Sequence, residues 1–174
     1  DVISDATTIQ GRPAVAQVGV MAGAPNRHHY VLALRYQVQG GAIRLALVPV
    51  VCSRAQTLGT CSLGDRVEVT GTSGTPSGPL AIVGYGAGRF ALFFGTRAAA
   101  GDALRMLTGS YDVSAPDDPI SLGGTRVIEA FPGNSNRLRD VAAAYLERVT
   151  QRSVISVMWQ DGTSQIALDT TAFS

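Results

Sequence analysis

The sequence contains no lysine, and all fourteen of its basic residues are arginine. This absence excludes a lysine Schiff base and the lysine of a phosphate-binding P-loop. Charged residues make up only 16% of the chain, and the formal net charge is +1. So weak a charge gives no electrostatic footprint for nucleic acid, and we expect no nucleic-acid partner. Abundant arginine, alanine and glycine without lysine is typical of a GC-rich genome, which favours a bacterial source.

Long apolar runs are also absent. No run approaches the roughly 20 residues of a membrane-spanning helix, so the sequence predicts no membrane span. No signal peptide is visible, and the chain begins at Asp1 rather than methionine, as expected of a processed or trimmed chain. With 174 residues, 45% of them hydrophobic, we expect one compact domain over residues 1–174. The Gly-, Pro- and Ser-rich stretch 72–79 predicts a loop and is the candidate for an internal boundary.

Cysteine is scarce, since only Cys52 and Cys61 occur. A closed zinc site needs about four ligands, and the two histidines that could join, His28 and His29, would point to opposite faces of a strand. A cysteine nucleophile needs a neighbouring base, and none is evident beside Cys52. The spacing, with Gly59 in the intervening loop, favours a disulfide, and the alternative is a pair of buried free thiols. We predict no metal site.

The disulfide interpretation sets the expected compartment. Disulfides persist in oxidising environments and are rare in the cytosol. For a bacterial chain this predicts a periplasmic or secreted protein.

Alternating apolar residues predict strands that run in hairpins. In the segment 30–38, Arg35 and Gln37 lie on one face, and the other face carries Tyr30, Leu32, Leu34, Tyr36 and Val38. The pair Gly40–Gly41 then supplies the turn to an apolar strand ending near Val51. A glycine-rich turn at 84–88 and the turn signal Asp161-Gly162 indicate further hairpins. The sheet should therefore be mostly antiparallel.

Two segments show helical spacing and predict amphipathic helices at 96–109 and 135–152. The first places alanine and leucine on one stripe, formed by Ala100, Ala103, Leu104 and Leu107. The stripe of the second is formed by Leu138, Val141, Ala142, Tyr145 and Val149. The expected fold class is α+β, a mostly antiparallel sheet or OB-like β-barrel built from hairpins, with these two helices.

The tail from "GGTRVIEAFPGN" through "LRDVAAAYLERV" to "SVMWQDGTSQIAL" resembles the strand–helix–hairpin ending of bacterial enterotoxin B subunits. The resemblance covers residues 123–168 and includes a Pro-Gly after a strand and Trp159 before the last turn. The first 120 or so residues have no counterpart in those short subunits. Those subunits are pentameric, sugar-binding OB-folds, so the resemblance implies an OB-like half.

Candidate binding residues are the aromatics on predicted strands and the two histidines. Phe90, Phe94 and Trp159 are core residues by default, and any ring left exposed would mark a contact site. His28 and His29 are expected at an exposed strand start. Tests of an enzyme would centre on His28, His29, a free Cys52, and Glu129. The chain lacks a G-x-S-x-G serine elbow and a dinucleotide fingerprint, and we predict no cofactor.

The function we expect is binding rather than catalysis, because no catalytic constellation survives inspection. The leading hypothesis is a non-enzymatic extracytoplasmic binding or scaffolding domain of a bacterial envelope or secreted assembly, with protein partners. The first alternative is a module that binds a carbohydrate or host receptor, such as a toxin-associated virulence subunit that recognises a surface glycan. The second is a small extracytoplasmic hydrolase. The sequence leaves the oligomeric state open.

Overall fold

The computed structural model describes residues 6–21, 24–38, 40–53, 59–115, 117–133, 138–146, 153–160 and 166–173. This part of the chain contains thirteen strands and no helix. The strands are β1 (Ala6–Ile9), β2 (Ala14–Met21), β3 (Ala24–Val38), β4 (Ile43–Ser53), β5 (Thr60–Leu63), β6 (Val67–Glu68), β7 (Thr75–Tyr85), β8 (Arg89–Ala98), β9 (Gly101–Tyr111), β10 (Ile120–Pro132), β11 (Asp140–Leu146), β12 (Ser153–Gln160) and β13 (Ile166–Phe173).

The strands form three sheets. In sheet A, β3 and β4 lie side by side, β1 and β2 follow the free side of β3, and β5 and β6 follow that of β4. Sheet B has the order β10-β9-β8-β7, and sheet C has the order β11-β12-β13. Every ladder is antiparallel, with one isolated parallel bridge between Gly101 and Gly133. The prediction of a mostly antiparallel fold is confirmed.

Sheet B lies between the other two sheets and contributes to a core on each of its faces. The core shared with sheet A includes Val31, Leu45, Leu47, Phe90, Leu92, Phe94 and Leu107. The core shared with sheet C includes Ala91, Phe93, Leu104, Met106, Val141, Ile155 and Trp159. Successive residues of a strand point to opposite faces, so β8 and β9 must be apolar on both.

Sheets A and B come together along one corner. Gly84 of β7 lies against the backbone of Gln17 in β2, where an added Cβ would collide with the Gln17 carbonyl oxygen. Glycine is therefore required for the two edges to approach so closely. The sheets meet at this corner in the manner of a half-barrel.

The helix predicted over 96–109 is wrong. The end of β8, a turn and most of β9 occupy this segment. Leu104 and Met106 face sheet C, whereas Leu107 faces sheet A. A strand that is buried on both faces has apolar residues at odd and even positions alike. In β9 these apolar positions also match the spacing expected of a helix.

The helix predicted over 135–152 is also wrong where it can be compared, because β11 runs from Asp140 to Leu146. Residues 135–137 and 147–152 lie outside the described residues. In β11, Val141 is buried while Ala142 and Ala144 are exposed. Because the exposed positions are alanines rather than polar residues, the sequence does not show the apolar–polar alternation of a strand. Alanine also has the highest helix propensity, so the segment matches a helix. Because this helix is absent, the predicted enterotoxin-like order of strand, helix and hairpin is also wrong.

Two smaller predictions have mixed outcomes. The stretch 72–79, predicted as a loop, is a strand from Thr75 onward, and the boundary placed there stays a prediction. The turn at Gly86–Gly88 does connect β7 to β8. The turn predicted at Asp161-Gly162 lies outside the described residues, although β12 and β13 pair as a hairpin requires.

Candidate binding cleft

The inner face of β3 carries polar side chains at both ends of the sandwich formed by sheets A and B. Alternation along the strand places Arg27, His29, Val31, Ala33 and Arg35 on this face. Val31 and Ala33 are fully buried in the core between the sheets. The histidine and arginines therefore lie where the core ends.

A cleft of about 500 Å³ opens at the His29 end. Its walls come from β3, β4, the β5 strand with the glycine after it, and the connection between β9 and β10. That connection is closed by a hydrogen bond from Asp112 N to Pro119 O at 2.7 Å. The lining residues are Arg27, His29, Pro49, Val51, Ser62, Leu63, Gly64, Tyr111, Asp112, Val113, Ser114, Ala115 and Pro119.

His29 is the buried polar group of this cleft, with only 6% of its surface exposed. Its Nδ1 lies 3.1 Å from the Tyr111 hydroxyl, while its Nε2 is buried without a hydrogen-bond partner. Burial first, and then the charges of Arg27 and His28, hold the pKa of His29 below its ordinary value of 6.5. The imidazole is therefore neutral near pH 7. An unpaired buried nitrogen is costly, and a ligand that bonded to it would remove the cost.

The carboxylate on the rim of the cleft is Asp112. Its Oδ1 accepts hydrogen bonds from the Ser114 hydroxyl at 2.6 Å and the Ser114 amide at 2.8 Å. These two bonds, the hydroxyl bond first, hold the pKa of Asp112 below its ordinary value, so the group is ionised.

Serine, histidine and aspartate thus line one cleft without forming a catalytic chain. A hydrolase triad needs its histidine bonded to the nucleophile and oriented by the acid. Here Ser114 bonds to Asp112, and His29 bonds to Tyr111. The arrangement can hold a ligand through hydrogen bonds, but it does not activate the Ser114 hydroxyl.

The predicted disulfide between Cys52 and Cys61 is confirmed. It joins directly paired residues of β4 and β5, and His28 is paired with Cys52 on the other side. Their side chains lie on the face of sheet A opposite His29, whose side chain lines the cleft. The bond holds β5 beside the cleft, leaves no thiol at Cys52, and indicates an oxidising compartment.

The other predicted site residues are not brought to this cleft. His28 lies on the opposite face, where its Nδ1 is 3.2 Å from Gln17 Nε2. Phe90 and Phe94 are fully buried between sheets A and B, and Trp159 is 7% exposed between sheets B and C. All three rings fill cores, and their role in binding stays a prediction.

The candidate enzyme residues are likewise dispersed. Glu129 is exposed on β10 of sheet B, and the lining of the His29 cleft does not include it. Within the described ranges, no three histidine, cysteine, aspartate or glutamate side chains come close enough to hold a metal ion. A search of the same ranges finds no helix suited to crossing a membrane.

Sequence reasoning missed most of the cleft. Tyr111, Asp112 and Ser114 were not expected to act together with His29, which is 82 residues from Tyr111 along the chain. The pattern Asp112-x-Ser114 is typical of a local turn, in which the aspartate accepts hydrogen bonds from residues just ahead. That signal predicts the turn but not the sheet on which it packs.

Comparison with protein-family models, curated proteins and solved structures yields no significant match.

Proposed function

We propose that the protein is a non-enzymatic binding domain of a bacterial envelope or secreted assembly, working in the periplasm or outside the cell. Its partner is a protein that presents an extended segment to β5 and the His29 cleft. The observation that carries this proposal is the position of an apolar-walled cleft directly beside an exposed edge strand. The disulfide supports the extracytoplasmic setting.

The edge strand offers backbone hydrogen bonds. β5 is the last strand of the path β1-β3-β4-β5, and across the described ranges no strand pairs with its outer edge. Its four residues are all exposed, including Leu63 at 52%. An extended peptide can add to such an edge, with main-chain bonds giving affinity and side-chain pockets giving specificity.

The cleft offers the side-chain pocket. Pro49, Val51 and Val113 supply apolar wall, while the Nε2 of His29 is a buried nitrogen without a hydrogen-bond partner. This combination suits an aliphatic side chain followed by one hydrogen-bonding group.

A surface glycan is the second candidate ligand. Arg27, Asp112 and Ser114 could bond to sugar hydroxyls at the rim of the cleft. Sugar sites commonly add an exposed aromatic face, whereas Tyr111 is buried and its ring meets His29 edge-on. The peptide is therefore the better fit.

Peptides selected by phage display on the intact, oxidised protein test the proposal. We expect selected peptides to alternate apolar and polar residues, and Leu63→Asp to weaken their binding by about tenfold or more, because a carboxylate would replace the exposed apolar side chain that β5 presents beside the added strand. Val127→Asp is the matched control, since Val127 is a similarly exposed apolar residue on β10. Methylation of alternate peptide amides should abolish binding for one of the two alternating sets and not for the other. The reason is that only every second amide of an added strand donates its hydrogen bond to β5.

Peptides that bind the Leu63 variant normally, or that depend on Val127, would contradict the proposal. A glycan array is run in parallel with the His29→Gln variant. Glycan binding that needs His29, together with a failure to select peptides, would replace the protein partner with the second candidate.

A further inference from the structure

A second cleft, of about 480 Å³, lies at the opposite end of the inner face of β3. It is built where all three sheets meet, from the β1–β2 connection and β3, the start of β7, and the residues leading into β11. Its lining includes Gly11, Arg12, Arg35, Arg139 and Asp140. Three arginines thus share one cleft with a single carboxylate.

Arg35 is the central side chain of this cleft. It projects from the inner face of sheet A, and its Nε is buried without a hydrogen-bond partner. Its guanidinium lies against Gly11, where an added Cβ would collide with Nη2. Gly11 has a φ of 75°, and the Gln10 amide donates to the Arg35 carbonyl at 2.8 Å, so the backbone of the connection follows the arginine closely.

The positive charge of the cleft is not neutralised within the described structure. No described carboxylate forms an ion pair with Arg12, Arg35 or Arg139. Asp140 lines the cleft, but its Oδ1 accepts the hydrogen bond of the Val141 amide at 2.9 Å. Guanidinium groups stay protonated, so burial lowers the pKa of Arg35 without making it neutral near pH 7.

We propose that this three-arginine cleft is a binding site for a phosphate- or sulfate-type oxyanion. A buried donor such as Arg35 Nε needs an acceptor, and a tetrahedral oxyanion presents several acceptor oxygens to donors that converge from different directions. The oxyanion would bridge sheet A through Arg12 and Arg35 to the start of sheet C through Arg139. The site is separate from the His29 cleft, and no lining residue is common to the two.

The test measures thermal stabilisation and calorimetric binding of the intact protein with inorganic phosphate, inorganic sulfate and glycerol phosphate. Chloride at equal ionic strength is the reference. A ligand that binds only the folded state raises its apparent stability in a saturable way. We expect saturable stabilisation by at least one oxyanion.

Variants assign the binding to the cleft. Arg12→Gln and Arg139→Gln alter exposed side chains and are expected to fold, and each should weaken oxyanion binding by about tenfold, the scale of a charge-assisted hydrogen bond. Arg35→Gln should weaken it at least as much. Asp140→Asn should strengthen it, because it removes the one negative charge while keeping an acceptor for the Val141 amide. Arg27→Gln, which removes the same charge from the other cleft, should leave it unchanged.

No saturable effect beyond chloride would overturn the proposal, as would equal losses in the Arg27 and Arg139 variants, which would indicate a general charge effect. The source of the oxyanion is distinguished with vesicles of phosphatidylglycerol in phosphatidylcholine. Vesicle binding that Arg12→Gln and Arg139→Gln abolish assigns the group to a lipid headgroup. Soluble oxyanion binding without vesicle binding assigns it to a free ion or a small ester.

Discussion

The two ends of the sandwich between sheets A and B are closed by different chemistry on the same strand. At one end, β3 presents His29, which is neutral, almost fully buried and bonded to Tyr111. At the other end it presents Arg35, which stays charged, with its Nε buried and unpaired. Val31 and Ala33 separate them by two apolar side chains in a fully buried core.

The difference shows how one core can position two unrelated sites. A buried histidine can lose its proton and become neutral. An arginine stays protonated, so a buried arginine needs an anion or another acceptor to offset the cost of its burial. The His29 end therefore suits a mostly apolar ligand, and the Arg35 end suits an anionic one. Both depend on the spacing between sheets A and B, where Phe90 and Phe94 of β8 are fully buried.

The largest expected effect comes from that shared core. Phe94→Ala should lower the free energy of unfolding by about 3–5 kcal/mol, because it empties a fully buried ring site. Phe93→Ala is the matched control, since its ring is equally buried but faces sheet C. Denaturant unfolding should give similar losses for both variants. Titrations of folded protein should show weakened peptide binding only for Phe94→Ala, because the His29 cleft has no lining residue from sheet C. Equal weakening of peptide binding by Phe93→Ala would contradict a role for the core between sheets A and B.

Removal of the disulfide should affect the His29 end of the sandwich and not the Arg35 end. Replacing Cys52 and Cys61 with serine should cost about 2–3 kcal/mol, since the bond closes a short loop. Amide hydrogen exchange should accelerate in β5, beside the His29 cleft, and stay unchanged at Gln10, whose amide bonds to the Arg35 carbonyl. Uniform acceleration at both ends would show instead that the bond stabilises the domain as a whole.

The disulfide, the hairpin of β3 and β4 and the antiparallel sheets could all be predicted, because each follows from local spacing. The helices could not be excluded, since the exposed alanines of β11 mask its alternation and β9 is apolar on both faces. Arg35 was assigned to a face by alternation, and Val31 and Ala33 on the same face indicate burial, but they do not show which residues cover Arg35. Packing between sheets decides that, and it brings residues as distant as His29 and Tyr111 together.

The smallest expected effect is a pH dependence confined to the His29 end. The pKa of His29 is lower in the folded protein than its ordinary value of 6.5, so the unfolded state binds more protons. Its contribution to stability is complete above about pH 6.5 and is lost as the pH falls below that value. The groups around it are Arg27, His28, Tyr111 and Asp112, of which Asp112 titrates at lower pH because its pKa is held down.

Equilibrium unfolding between about pH 8 and about pH 5 measures this contribution. His29→Gln should flatten the stability profile across that range, because a neutral amide takes up no proton. His28→Gln, on the opposite face of β3, should reduce the slope only slightly, because it removes the smallest of the three causes that lower the pKa of His29. A wild-type profile that stays flat below pH 6.5, or one that only His28→Gln flattens, would show that the buried imidazole is not what distinguishes this end from the arginine end.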